Sequence, residues 1–217
     1  MLAILLKGVQ RFEMVNTPTR RSRKIGLTQG GRVKAGTAME KESRTFPQSI
    51  WRQLSEDSGG VYRVLSENPS RDYYHPCTEG QVRAVLSHIP KRHTRHLRAV
   101  VFRRPPKRDQ ARGVEARRRM SCIVLNAFPV SNEIDWGATP PADSSRRHYA
   151  PWCDRWENRN GRWIQVWMPD EVRRYYLYHL LLHELGHINQ PAFNSLRRRE
   201  SFAEDFALTW ARKLKRL

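Results

Sequence analysis

The sequence predicts an α+β domain with a small sheet, followed by two helices at the C-terminal end of the chain. Two observations favour this class: short apolar runs of strand length recur between residues 97 and 168, and apolar residues after residue 169 recur at helical spacing. At 217 residues the chain is long enough for one sizeable core. No apolar run approaches the roughly 20 residues needed to cross a bilayer, so a membrane partner is not expected.

The first 71 residues are predicted to lie outside this domain. Residues 1–45 are rich in Arg, Lys, Gly, Thr and Ser and contain few aromatic side chains, which predicts a flexible basic arm. Residues 46–71 are predicted to be a linker with a short helix in "FPQSIWRQLSEDSGG", ended by Gly59 and Gly60. The opening "MLAILL" is interrupted by Lys7 and is shorter than the roughly 7–15 apolar residues of a secretory signal, so we expect a cytoplasmic protein.

The excess of basic residues lies mainly in the first half of the chain. The formal net charge is +19; residues 61–119 hold 15 basic and 5 acidic side chains, whereas residues 120–217 hold 14 and 11. The dense basic block at 91–119 would attract phosphates or acidic proteins, which makes nucleic acid a candidate partner. The sequence of this block contains no signature of a known nucleic-acid-binding module.

The cysteines give a second indication of the compartment. Cys77, Cys122 and Cys153 are odd in number, widely spaced and form no CxxC pair. This usage favours a reducing compartment and argues against both a disulfide framework and a thiolate zinc site.

Ordered structure is predicted to begin near residue 72. The stretch "CTEGQVRAVLSHIP" predicts a helix, because Thr78 and Gln81 have the spacing of a capping box and Pro90 ends the run. Next, "HLRAVVFRR" predicts a strand, the segment 105–119 a basic loop, and "MSCIVLNAFPV" a second strand.

The C-terminal half is predicted to contain one more strand and two helices. Residues 131–161 show no clear period and are predicted to be a loop, whereas "GRWIQVWM" alternates between two faces and predicts a third strand. The first helix begins at Pro169 and is closed by Pro191. The last helix is predicted to run from about residue 194 to the C-terminus.

The stretch "LLLHELGHINQ", residues 180–190, places titratable side chains inside an apolar helical run. His183 and His187 are four residues apart, so on a helix they share one face and can aim their ring nitrogens at one zinc ion. Glu184 is rotated away from that face but can reach a water molecule beside the same ion, and Gly186 lets another element approach closely. This HExxH arrangement is typical of metalloproteases, in which the glutamate is the general base. The alternative is a buried helix whose histidines are satisfied by local hydrogen bonds.

Two histidines do not complete a catalytic zinc site, which usually has three protein ligands and a water molecule. No histidine follows His187, so the candidates for the third ligand are the acids of "ESFAEDFA", namely Glu200, Glu204 and Asp205. Glu200 and Glu204 are one helical turn apart. One of them can therefore bind the metal while the other accepts a hydrogen bond from a ligating histidine.

The combination of "HELGH" and "ESFAEDFA" resembles the gluzincin metallopeptidases, especially minigluzincin-like and ImmA/IrrE-like proteins. In that group HExxH is followed by a helix of the pattern E-x-x-A-(D/N)-x-F-A. The pattern is matched by Glu200, Ala203, Phe206 and Ala207, but Glu204 stands where the family has Asp or Asn.

The resemblance implies a zincin-like domain over about residues 72–217, with a small twisted sheet and the third ligand on the C-terminal helix. It implies that Zn²⁺ is bound by His183, His187 and Glu200, and that Glu184 is the catalytic base. It also implies an edge strand beside the motif helix, and "RWIQVWM" is the strand that we expect there, pairing with an extended substrate.

Other polar side chains near the motif have simpler explanations. His179 continues the four-residue spacing to His183, but local packing or hydrogen bonding is its expected role. His148, Tyr149 and Tyr175 are candidates for stabilising an oxyanion, and each is also readily explained as part of the fold.

The expected function is zinc-dependent hydrolysis of peptide bonds in a protein or peptide substrate. One alternative is a zinc protein without catalytic activity, although such a protein would have no use for a base at Glu184. A second alternative is a nucleic-acid-associated regulatory protein that uses the basic block at 91–119.

Overall fold

A computed structural model of the chain describes residues 46–56, 61–110 and 113–216. These residues belong to two units, of which the first contains 46–56 and the second contains 61–216. In the first unit, helix α1 spans Gln48–Ser55, as predicted for the short helix. The predicted basic arm at 1–45 and the predicted helix end at Gly59 and Gly60 lie outside the described residues.

The second unit contains short strands and helices, followed at its C-terminal end by a continuous helical segment and a last helix of 18 residues. In chain order its elements are β1 Arg63–Ser66, β2 Tyr73–Tyr74, α2 Glu79–Ser87, α3 Lys91–Thr94, β3 Ala99–Arg103, α4 Lys107–Gln110, β4 Ala116–Arg119, β5 Cys122–Asn126, β6 Phe128–Pro129, β7 Glu133–Gly137, α5 Asp143–Tyr149, β8 Trp156–Arg159, β9 Arg162–Val166, α6 Pro169–Tyr175, a π-helical turn Tyr176–Leu180, α7 Leu181–Asn189 and α8 Leu196–Lys213. The unit is therefore mixed α/β with small sheets and a C-terminal helix.

The largest described sheet has the strand order β1-β3-β5-β4. β1, β3 and β5 are parallel, whereas β4 runs antiparallel to β5 and lies at the edge. β5 is buried along its whole length, and its Ile123 and Leu125 belong to the same apolar core as Leu181, Leu182 and Leu185 of α7. The core therefore joins one face of this sheet to the helix that carries the motif.

Several predicted elements are present where the sequence placed them. Thr78 and Gln81 form the capping box of α2: the Gln81 N–H donates to Thr78 Oγ1, and the Thr78 N–H donates to Gln81 Oε1. Strands β3 and β5 lie within the predicted apolar runs, and α8 begins at Leu196. Among the helices of the described residues, none is long and apolar enough to cross a bilayer.

Three loop or linker predictions are wrong. β1 lies in the predicted linker 46–71 and pairs with β3, so ordered structure begins before residue 72. The predicted basic loop 105–119 contains α4 and the edge strand β4. The predicted loop 131–161 contains β7, α5 and β8. Each of these strands is at most five residues long, so none of them carries a long apolar run.

The prediction that "RWIQVWM" forms the edge strand beside the motif helix is wrong. β9 forms there as a strand, but it is the central strand of a separate sheet with the order β7-β9-β8. The strand that lies at a sheet edge and contacts α7 is β4. Most of β4 consists of Arg117, Arg118 and Arg119. A run of charged residues has no apolar alternation, so the sequence pattern does not predict a strand at this position.

Candidate metal centre

The two longest helical segments of the second unit pack against each other and carry the predicted site residues. α6, the π-helical turn and α7 follow one another without a break, and α8 packs against α7. The contact is closest at Gly186, where a Cβ atom would lie 2.9 Å from the Cα of Ala203 and 3.2 Å from its carbonyl oxygen. Absence of a side chain at Gly186 therefore allows the backbone of α8 to come close enough to share a site with α7.

Glu200 of α8 meets both histidines of the motif. Its Oε2 atom lies 3.5 Å from Nε2 of His183 and 3.5 Å from Nε2 of His187. The two imidazole rings are 4.8 Å apart between centroids and nearly perpendicular. One oxygen and two nitrogens from three side chains thus converge on one point.

These separations match those of ligands around one ion. Ligand atoms at about 2.0–2.1 Å from a tetrahedral zinc are about 3.3–3.4 Å from one another. A contact of 3.5 Å is longer than an ordinary N–H···O hydrogen bond. The arrangement therefore fits a shared metal ion better than it fits direct bonds between the side chains.

The second nitrogen of each histidine is held by another side chain. Nδ1 of His183 lies 3.3 Å from Oε2 of Glu204, and Nδ1 of His187 lies 2.9 Å from Oε1 of Gln190. A proton on Nδ1 can bond to these oxygens, and this leaves the lone pair on Nε2. Carboxylate and amide partners of this kind fix the tautomer and orientation of ligating histidines.

The charges of the cluster reinforce one another. Burial alone would lower the pKa of His183, but the carboxylates of Glu200 and Glu204 outweigh it and raise that pKa to about 9. Burial would raise the pKa of Glu200, but the imidazoles of His183 and His187 beside its carboxylate lower that pKa to about 2. The same balance at Glu204, with His183 as the hydrogen-bonding partner, lowers its pKa to about 2. Both carboxyls are therefore ionised at neutral pH, and an ion bound at Nε2 of His183 would displace the proton that they favour there.

Glu184 is buried in α7 between the two histidines. Burial raises the pKa of its carboxyl above the ordinary value, while His183 and His187 act in the opposite direction. A carboxylate with a raised pKa is a stronger base at neutral pH. Glu184 therefore has the electrostatic setting of a group that accepts a proton.

Several potential ligand atoms of this site are buried without a hydrogen-bond partner in the described part of the chain, as expected for atoms that bind a metal ion. Among the described residues, Nε2 of His183 and both carboxylate oxygens of Glu200 are buried and have no hydrogen-bond partner. Leaving a buried polar atom without a partner costs about 1–3 kcal/mol. A divalent cation bound by the nitrogens and the carboxylate would remove this cost, so the residues present fit zinc.

No protein-family model, curated protein or solved structure matches this chain. The chemistry of the site therefore has to follow from its own geometry.

The structure brings together His183, His187 and Glu200. Of the other two predicted candidates for the third ligand, Glu204 lies beside Nδ1 of His183, and Asp205 is left out of the site. The side chain of Asp205 is exposed on α8. Among the described residues, Asp205 belongs to neither group of side chains with the geometry of a metal site.

The aromatic candidates for stabilising an oxyanion are engaged elsewhere. The hydroxyl groups of Tyr149 and Tyr175 are buried and donate to Oε2 of Glu115, at 3.2 and 2.8 Å. His148 lies against His179, with ring centroids 4.8 Å apart, and near Glu204. These three side chains therefore have other partners than a substrate beside Glu200.

Sequence reasoning missed two contributions to the site. Gln190 was not predicted to hold His187, although its position three residues downstream, directly after the end of α7, is a signal for such a contact. His179 was predicted to be structural, and its grouping with His148 and Glu204 could not be seen because the three residues are distant in sequence.

Proposed function

We propose that this protein is a zinc-dependent metallopeptidase of gluzincin type with a zincin-like domain. The observation that carries the proposal is the equal 3.5 Å separation of Glu200 Oε2 from Nε2 of His183 and of His187. His183, His187 and Glu200 would hold the ion. A zinc ion in this position supplies a Lewis acid for the scissile carbonyl and lowers the pKa of a water molecule toward about 7.

Glu184 performs the proton transfers in this mechanism. It takes the proton of the attacking water and then delivers that proton to the nitrogen of the leaving amine. Burial of the carboxyl favours both steps, because a raised pKa makes Glu184 a better base before attack and a workable acid after it. Glu204 and Gln190 keep the histidines in the tautomer that leaves Nε2 free.

An extended substrate is expected to pair with β4, the edge strand that contacts α7. The Asn126 N–H donates to the Glu115 carbonyl at 2.8 Å. Because hydrogen-bonded and non-hydrogen-bonded pairs alternate in an antiparallel ladder, Ala116 and Arg118 turn their backbone N–H and C=O groups away from β5. Those groups would bind the main chain of the substrate by strand addition.

The test combines metal content with cleavage of an unstructured protein such as casein by the zinc-loaded full chain. We expect the wild type to cleave, chelation to stop cleavage, and readdition of zinc to restore it. Glu184→Gln is expected to bind zinc like the wild type but to lose cleavage by at least about 100-fold, since general-base catalysis contributes about 10²–10⁴-fold. Asp205→Asn, which removes an exposed carboxylate, is the matched control and should cleave normally.

Two outcomes would contradict the proposal. Normal cleavage by Glu184→Gln would exclude this residue as the base. Zinc bound at His183, His187 and Glu200 without cleavage of a range of unstructured peptides would favour a zinc protein without catalytic activity.

A further inference from the structure

A second cluster of potential ligands lies beside the first, on the other side of His183. It consists of His148 from the last turn of α5, His179 from the π-helical turn and Glu204 from α8. The ligand atoms of the three side chains all lie within 4.8 Å of one another, and Nε2 of His179 is 3.6 Å from Oε2 of Glu204. Two imidazoles and one carboxylate are again a donor set suited to zinc.

His179 is the buried centre of this cluster. Its side chain is 0% exposed, and within the described part of the chain neither of its ring nitrogens has a hydrogen-bond partner. Nε2 of His148 is also buried and, among the same residues, unpaired. A buried polar atom without a partner destabilises the folded state, so a ligand that binds these nitrogens would be favoured here.

Aromatic rings hold His179 in place and restrict water. Tyr175 stacks on its imidazole at 5.2 Å between centroids with an interplanar angle of 12°, and Trp152 lies 5.5 Å away. A ring fixed in this way loses little freedom when it binds an ion, and a dry, low-dielectric surrounding strengthens the bond to a cation. Its polar neighbours are His148, with ring centroids 4.8 Å apart, and the carboxylate of Glu204, and packing against the aromatic rings alone would not require a histidine at this position.

We propose that His148, His179 and Glu204 form a second binding site for a divalent transition-metal ion of the zinc class. Imidazole and carboxylate together suit zinc and its neighbours in the first transition row. Calcium and magnesium, in contrast, prefer sites in which all ligand atoms are oxygens. The Glu204 side chain is 33% exposed, which leaves a route for the ion and room for a water molecule as fourth ligand.

Glu204 connects the two centres. The oxygen that would bind the second ion, Oε2, is also the atom that lies 3.3 Å from Nδ1 of His183. A cation on this carboxylate withdraws charge from it and makes it a weaker acceptor for the His183 proton. The second ion therefore modulates the first centre through His183, and the inference does not depend on the proposed peptidase activity.

The alternative is a network without an ion, in which His148 and His179 bond to Glu204 directly or through water. The two readings differ in the number of ions that the protein binds tightly. Metal content is therefore the deciding measurement, and no activity assay is needed.

The experiment strips the full chain with chelator, dialyses it against zinc buffered at nanomolar free concentration, and counts bound zinc per folded chain. The low free concentration prevents surface histidines from contributing. We expect about two ions in the wild type and about one in each of His148→Ala, His179→Phe and His187→Ala, since each substitution removes one ligand of one three-ligand site. His88→Ala, which removes an exposed histidine directly after α2, should keep about two.

The variants distinguish failure of the second site from failure of the first site. About one ion in the wild type, lost in His187→Ala and kept in His148→Ala, would overturn the second site and leave the first intact. About one ion, lost in His148→Ala and kept in His187→Ala, would support the second site and overturn the first. His148 is partly exposed at a helix end, so His148→Ala tests the site even if the buried His179→Phe change prevents folding.

Discussion

Glu204 and Glu200 approach opposite nitrogens of the same imidazole, that of His183. Glu204 Oε2 lies 3.3 Å from Nδ1, and Glu200 Oε2 lies 3.5 Å from Nε2. The two acids sit one turn apart on α8 and straddle the ring. Their positions assign them different tasks: Glu200 faces the point where His187 also converges, and Glu204 lies behind His183.

Removal of the two acids should affect zinc affinity at the first centre unequally. Glu200→Ala removes a ligand and is expected to abolish tight binding there. Glu204→Ala removes only the partner of His183 Nδ1, and the loss of such a partner costs about 10–100-fold in affinity. Affinity is measured by competition with a chromogenic chelator in a His148→Ala background, so that only one tight site is counted.

Asp205→Ala is the control in the same background and should leave the affinity unchanged, because the side chain is exposed. The reverse order, with zinc held by Glu200→Ala and lost from Glu204→Ala, would make Glu204 the third ligand of the first centre.

Gly186→Ala should destabilise the protein and weaken the first centre together. The new methyl group would lie 2.9 Å from the Cα of Ala203, and backbone cannot yield as a side-chain tip can. Overpacking of this kind costs about 1–3 kcal/mol and would move α8, which carries Glu200, away from α7. Urea unfolding and zinc competition measure the two effects.

Gly80→Ala is the matched control for Gly186→Ala. Gly80 also lies in a helix, but its added Cβ would meet only Thr78 Oγ1, at 3.9 Å. Replacement of glycine by alanine in an open helical position stabilises by up to about 1 kcal/mol. If Gly186→Ala also raised stability, the close approach of the helices would not be needed for the fold.

The sequence predicts the parts of the site that depend on local geometry. Helix period alone places His183 and His187 on one face, and the spacing of Glu200 and Glu204 predicts that one can bind metal while the other supports a histidine. Gly186 was also expected to permit a close approach, and the approaching element is α8 at Ala203. Whether these residues bind zinc stays a prediction.

The sheet was harder to predict because its short strands are held by pairing with neighbours that are distant in sequence. β1 has four residues and pairs with β3, more than thirty positions away. β4 is mostly arginine, and its place at the sheet edge follows from its pairing with β5 and not from its composition. Tertiary contacts override local propensity in such strands.

Arg118→Pro should weaken substrate binding without unfolding β4. The Arg118 N–H points away from β5, and proline is tolerated at an edge when its missing N–H would face outward. The loss of a main-chain bond to an extended peptide should raise KM several-fold with a smaller change in kcat. Arg118→Gln removes the charge and keeps the N–H, so it separates the two effects.

Arg117→Pro is the opposite control. The Arg117 N–H points toward Val124 of β5, so its loss breaks a bond of the sheet and should lower stability. A KM unchanged by Arg118→Pro would mean that the substrate does not pair with β4.

Glu115→Gln should stabilise the protein above neutral pH and have little effect in acid. Burial raises the pKa of the Glu115 carboxyl to about 7, although hydrogen bonds from Tyr175 and Tyr149 favour the ionised form. An exposed glutamate has a pKa of about 4.3, so between about pH 4.3 and pH 7 the unfolded chain gives up a proton that the folded chain keeps. The free energy of unfolding therefore falls as pH rises through this window and stays at the lower level above it.

Glutamine at position 115 cannot ionise, so the free energy of unfolding of the variant does not fall as the pH rises through this window. The two proteins should have similar stability near pH 4, and the variant should be more stable by on the order of 3 kcal/mol near pH 8. Urea unfolding at a series of pH values measures the difference. Tyr175→Phe removes a donor that favours the carboxylate, so in that variant the fall in stability should extend to higher pH. A Glu115→Gln protein that is less stable than the wild type at pH 8 would mean that Glu115 is ionised and stabilising in the folded state.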